Sequence, residues 1–204
     1  MLVMGKLVHH YKLLPWTCAV IVYANPDSRA FVEFDGCRFK HMFVAFSASL
    51  NGFIFKCNKM LFVDGTHLSG PYEETMLGTV ALDADNHMFD VEYAVVGRET
   101  NDNWLWFLTM LHDCLGGLTP IIISDRNKGL LTVMPLVFRK ENHSYCVRHL
   151  IENLIGKASK LGIRRNASKE LVWDMLNQIA YTMNVAKYES TMAKLRMYKR
   201  ELAV

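Results

Sequence analysis

The rhythm of apolar and polar positions changes twice along the chain and divides it into residues 1–57, 58–150 and 151–204. In the middle stretch Phe89, Val91, Tyr93 and Val95 alternate with Asp90, Glu92 and Ala94, the period of a strand with one buried face. Leu61-Phe62-Val63 is a short apolar run leading into Asp64-Gly65-Thr66-His67. Residues 75–83 form a near-continuous apolar strand that ends at the turn-forming Asp85-Asn86. The connections between these three segments are short, which favours an antiparallel meander. Trp104, Phe107, Leu108, Leu111 and Leu115 then recur at the spacing of one helix face. Pro120-Ile121-Ile122-Ile123 reads as a buried strand ending in Ser124-Asp125. Residues 129–138 read as helical despite Pro135, and residues 143–150 as a short strand or a helix start.

The flanks are simpler. Residues 1–57 predict a short helix over 15–24, a turn at Asn25-Pro26-Asp27-Ser28, an extended piece, and a helix over 39–50 that Asn51-Gly52 ends. Residues 151–204 read as all helix. Val172, Met175, Leu176, Ile179 and Met183 give one apolar stripe, and Val185, Tyr188, Met192, Leu195 and Leu202 a second, with Asn184 near the break. That pattern predicts an antiparallel helical pair or the start of a larger helical insertion.

Composition narrows the classes. Hydrophobic residues make up 51% and charged residues 21%, which excludes a disordered tail or a fibrous repeat. A net charge of +3 and a pI near 8.6 allow a nucleic-acid partner without arguing for one. The cysteines at 18, 37, 57, 114 and 146 are odd in number and form no CxxC pair, so a reducing compartment is expected rather than a disulfide framework. The apolar run over residues 17–24 is far short of the ~20 residues that span a bilayer. Lys6, His9, His10 and Lys12 precede it, but no small-residue cleavage pattern follows, so neither a signal peptide nor a membrane anchor is expected.

Three antiparallel strands, a helix and a strand ending in an acid is the ribonuclease-H-like order, an α/β class with a mixed sheet and flanking helices. Asp64 follows three apolar strand residues and Asp125 follows four. A carboxylate at the end of a buried strand is costly unless something pairs with it. Two on neighbouring strands repel, and a hard divalent cation relieves that repulsion. Taken singly, each Asp reads better as a cap for the turn that follows it. Together, in this strand order, they point to a metal site.

Residues 61–70, Leu-Phe-Val-Asp-Gly-Thr-His-Leu-Ser-Gly, resemble the Asp-Gly-Thr-His-Leu-Lys-Gly signature of plant Mutator-like (MULE) transposases. The resemblance continues through Ala-Leu-Asp-Ala-Asp-Asn at 81–86, Tyr93-Ala94-Val95-Val96 and the Trp-x-Trp-Phe-Leu stretch at 104–108. It runs on through Ile123-Ser124-Asp125-Arg126-Asn127-Lys128-Gly129-Leu130 and residues 143–150. Upstream, residues 11–15, 25–26, 39–43 and 48–53 are similar to the segment that precedes that family's core, so the series covers roughly residues 10–200.

The resemblance implies a DDE (Asp-Asp-Glu) transposase core of ribonuclease-H-like fold over 58–150. It would be preceded by a helical and extended segment and followed by a helical insertion from 151. Position by position, Asp64 matches the first catalytic acid and Asp125 the second, holding Mg²⁺ or Mn²⁺. Cys146 and His149 match the family's CxxH motif. The implied partner is DNA carrying transposon terminal inverted repeats, in the nucleus, with no membrane; a homo-oligomer is compatible with it. The third acid, a Glu in a Ser-Asn-x-x-Glu-x-x-Asn context, is expected past Val204. Glu152, Glu170, Glu189 and Glu201 lack that context and read as solvated helix-face charges. The chain alone is therefore expected to be an incomplete nuclease. The family's zinc-knuckle C-terminus and N-terminal DNA-binding region have no counterpart in these residues. Ser69-Gly70-Pro71-Tyr72-Glu73-Glu74 replaces a more basic stretch, and Lys56-Cys57-Asn58-Lys59 stands where the family often has Gly-Cys-Arg-Pro. The rival readings are a domesticated, non-catalytic DNA-binding or transcription-regulating relative of the far-red-impaired-response type, and an inactive structural remnant.

Smaller signals have plainer readings. For His143-x-x-Cys146-x-x-His149 packing is favoured over a half zinc site completed elsewhere, since zinc wants four ligands. Trp104 and Phe107 read as core, while Trp106 points elsewhere and is open to exposure and base stacking. The run Lys157, Lys160, Arg164, Arg165 and Lys169 reads as a solvated surface slightly ahead of a phosphate-contacting patch. Arg126 and Lys128, flanking the second acid, are the better candidates for phosphate contacts. His67 either touches substrate or finishes its turn.

Overall fold

The structure, a computed structural model, describes residues 2–69 and 72–203, with side chains from residue 11 onward. Gly70 and Pro71, within the stretch that departs from the family, lie outside the described residues, as do the side chains of Lys6, His9 and His10. The chain divides into two compact units, Met1–Ser144 and Tyr145–Val204.

The first unit is α/β. Helix α1 (Leu2–Ala24) leads into the hairpin β1 (Arg29–Asp35) and β2 (Arg38–Ala45), then α2 (Ser47–Lys56). Strands β3 (Met60–His67), β4 (Thr75–Leu82) and β5 (Met88–Val96) follow, then α3 (Asn101–Cys114), β6 (Ile121–Ser124) and α4 (Lys128–Val137). With β7 (His143–Tyr145) they form one mixed sheet in the order β1-β2-β5-β4-β3-β6-β7. The meander predicted for the middle stretch is present, since β3 pairs antiparallel with β4 and β4 with β5. β6 returns to pair with β3 in parallel, the geometry a crossover through α3 produces.

The helix face read from the sequence is the one that packs. Trp104, Phe107, Leu108 and Leu111 are buried in α3, and Leu115 just beyond it. They join Phe53 of α2, Leu130 and Met134 of α4, and Leu61, Val63, Leu77 and Ile122 of the sheet in one core. Burying side chains of this size contributes on the order of 1.5–3 kcal/mol each.

Three expectations need correction. Residues 39–45 are not the start of a helix. They lie in β2, where His41, Phe43 and Ala45 are buried on alternate positions, and the helix instead runs from Ser47 through Asn51-Gly52 to Lys56. Gly52 ends nothing; a Cβ there would sit 2.5 Å from Phe89 Cζ, so the glycine admits the Phe89 ring against α2. The N-terminal helix is also longer than residues 15–24, starting at Leu2 and carrying Pro15 inside it. In β5 the buried set changes phase. The ladder slips between Thr79 and Val80, so Val91 and Glu92 are both buried and the inner face continues with Ala94 and Val96 rather than Tyr93 and Val95. A bulge of this kind puts two residues opposite one and inverts the alternation beyond it.

The second unit is helical: α5 (Val147–Lys160), α6 (Asn166–Tyr181) and α7 (Val185–Tyr198). Ile151, Ala158, Val172, Met175, Leu176, Leu195 and Leu202 form its core, with Ile179 packed against them. Met183 and Val185 are exposed, contrary to the stripes, because α6 stops at Tyr181 and the periodicity stops with it. Asn184 begins α7, its side chain accepting from the Lys187 amide. Among the described residues no helix is long and apolar enough to cross a membrane.

Candidate active site on two parallel strands

β3 and β6 lie side by side with Val63 opposite Ser124, so Asp64, still within β3, and Asp125, the residue after β6, are each the next residue on neighbouring parallel segments. Such strands are spaced about 4.8 Å apart. The buried alternation of β3 gives out at Asp64, which is exposed, and Asp125 is half-buried just past the end of β6. Each carboxylate is held by a backbone amide. Gly65 N donates to Asp64 Oδ1 at 2.9 Å, and Asn127 N donates to Asp125 Oδ1 at 2.9 Å.

Asn127 then caps α4. Its Oδ1 accepts from the amides of Gly129 at 2.8 Å and Leu130 at 3.2 Å, satisfying donors the first helical turn leaves without partners. The second acid, the cap and the start of α4 are therefore one tightly bonded turn. Arg126 and Lys128 flank the cap on its exposed side. His67, at the far end of β3, is exposed, with Nδ1 3.2 Å from Thr75 Oγ1.

A third acid, which periodicity and spacing did not single out, faces this turn. Glu99 lies in the loop between β5 and α3 and is half-buried. Its Oε2 accepts from Asn127 Nδ2 at 2.5 Å. On the other side its Oε1 lies against Gly65, where a Cβ would come within 2.8 Å of it. Burial pushes the Glu99 carboxyl above the usual range; His67 pulls it down, and the charges of Asp125 and Asp64 push it further up. All four titratable groups therefore share one electrostatic neighbourhood. The buried Trp104 indole is directed at Glu99 as well, although Nε1 closes no hydrogen bond among the described residues. No sequence signal marks Glu99, which is one loop acid between Arg98 and Thr100 and belongs to no apolar rhythm.

Among the described residues no three His, Cys, Asp or Glu side chains form a group that holds a metal by itself. The arrangement is built on Asp64 and Asp125. Its donors are hard carboxylate oxygens on two adjoining strands, and the glycine beside Asp64 leaves room for a third carboxylate against the backbone. Mg²⁺ takes one or two protein carboxylates and fills the rest of its shell with water and phosphate oxygens, so the donor set fits such an ion.

The remaining candidates lie elsewhere. Cys146 is the residue before α5 and His149 sits in that helix's first turn, with Nε2 3.3 Å from Arg148 Nη2. His143 bonds through Nε2 to Ser124 Oγ at 2.9 Å, and burial lowers its pKa. Trp104 and Phe107 are core, as expected. Trp106 is not an open stacking platform: its ring lies flat on His41, centroids 3.7 Å apart. Lys157, Lys160, Arg164 and Arg165 are exposed around the α5–α6 turn.

Residues 60–153 match the family model described as the MULE transposase domain, bearing out the resemblance over that stretch. No curated protein matches the chain.

Proposed function

We propose that this chain, with its MULE transposase domain over residues 60–153, carries the two-aspartate part of a ribonuclease-H-like DDE core, the kind that hydrolyses and transfers phosphodiesters at transposon ends, and is incomplete as a nuclease without the third acid. The observation that supports the reading is the parallel register of β3 and β6, in which Asp64 and Asp125 each follow the paired residues Val63 and Ser124. In this reading both aspartates hold Mg²⁺ or Mn²⁺. A divalent ion there would lower the pKa of an attacking water or hydroxyl and neutralise charge on the leaving oxygen.

The chain's own residues have separate tasks. The amides of Gly65 and Asn127 fix Oδ1 of each acid, so both carboxylates are oriented before substrate arrives. Arg126 and Lys128 sit beside the second acid and would take the flanking phosphates, while His67 ends β3, three residues past the first acid. Chromosomal DNA as substrate implies work in the nucleus, and joining two transposon ends implies an oligomer that brings two sites together.

The test is nicking of supercoiled plasmid DNA. The expected result is slow nicking that requires Mn²⁺ or Mg²⁺ and falls to background in Asp64→Asn and in Asp125→Asn. Cleavage unchanged in both variants would overturn the reading. DNA retained equally well in a chelator, with no cleavage under any metal, would favour the binding-only, far-red-impaired-response type of relative instead.

A further inference from the structure

We propose that Glu99 is a positioning residue that supplies a further negative charge beside the divalent cation. The inference rests on the reading that Asp64 and Asp125 hold that cation.

Three independent features converge on this one side chain. Glu99 touches both acid-bearing turns: Oε2 takes the Asn127 side-chain amide of the Asp125 turn, and Oε1 lies over the backbone of Gly65, next to Asp64. Gly65 leaves room for this approach, since a Cβ there would be 2.8 Å from Oε1 and the carboxylate would have to shift. Behind it Trp104, only 1% exposed, directs an indole N–H that closes no hydrogen bond among the described residues. A carboxylate drawn slightly toward that N–H, or held by an ion in front of it, would satisfy the donor, and a buried donor left open is costly.

Holding a third carboxylate this close to two others, half-buried, is electrostatically unfavourable by itself. A divalent cation beside the two aspartates reverses the sign of that interaction. Glu99 acts on that cation through its charge. Its contribution is to affinity rather than to the bond that breaks.

The experiment is titration of Mn²⁺ into the full chain, followed by electron paramagnetic resonance, with thermal melting of every variant alongside. Glu99→Gln keeps the size and an oxygen for the Asn127 amide but removes the charge. The expected result is Mn²⁺ affinity about tenfold weaker with the metal-free melting temperature no lower than that of the wild type. Gly65→Ala, which keeps the charge but displaces it, should weaken Mn²⁺ in the same direction. If Asp64→Asn weakens Mn²⁺ while Glu99→Gln binds it as the wild type does, the role of Glu99 is overturned and the two-aspartate reading stands. If neither Asp64→Asn nor Asp125→Asn alters Mn²⁺ binding, the two-aspartate reading fails, and the inference with it.

Discussion

Glu92 is a carboxyl group that the sequence alternation assigns to the outer face of its strand. It is 1% exposed on β5, its Oε1 accepts a long 3.4 Å bond from Thr79 Oγ1, and its Oε2 has no hydrogen-bond partner among the described residues. Burial pushes its pKa well above the ordinary 4.5, a shift that the Thr79 bond and the Arg29 charge only partly oppose. A folded-state pKa above the unfolded one means that the protonated carboxyl contributes stability that is complete below about pH 4.5 and is lost as pH rises through the folded value. Glu92→Gln, neutral at every pH, should therefore melt at nearly the same temperature as the wild type near pH 4.5 and progressively above it toward pH 8. Parallel melting curves across that range would mean that Glu92 stays ionised in the fold. Residue-level legibility follows the same physics. Asp64 and Asp125 stood out because each interrupts an apolar run at a strand end. Glu99 and Glu92 did not, since one sits in an unpatterned loop and the other looked like an ordinary outward position.

At the scale of elements, what period and turn chemistry could decide was decided by them. The meander, the buried face of α3 and the short β6 are all local patterns with one strong reading. The bulge at Val91 was not legible, because an extra residue leaves the alternation intact in sequence and inverts it only where the partner strand imposes a register. The segment around 39–50 failed for a related reason: β2 is apolar on inner and half-buried positions alike, so its run looked as helical as it looked extended. The β6–α4 connection is the element on which the candidate site depends most. Asn127 there serves two amides of α4 and donates to Glu99 at once. Asn127→Ala removes the cap and should cost about 1 kcal/mol in urea unfolding of the first unit. A loss within error would show that solvent caps α4 equally well.

On the scale of the whole molecule, the two units bury separate sets of side chains. The larger cluster draws on residues from Phe43 to Phe138, and the smaller on residues from Ile151 to Leu202. The sequence signalled a change of character near residue 150, and the structure puts the division after Ser144. The matched domain runs to residue 153, so it takes in the start of α5 along with the sheet unit. A family boundary and a packing boundary need not coincide, since the first follows residues retained together and the second follows buried surface. Separate cores should also respond separately to damage. Leu108 in α3 is fully buried and Leu195 in α7 is 1% exposed, so truncating either to Ala should cost about 2–5 kcal/mol. In native-state hydrogen exchange, Leu195→Ala should reduce protection in α6 and α7 while amides of β3, β4 and β5 keep theirs; Leu108→Ala should do the reverse. Loss of protection spread evenly over both sets by either substitution would show one cooperative unit instead of two. The proposed cation site, whose residues all belong to the first unit, would then depend on the helical one for its stability.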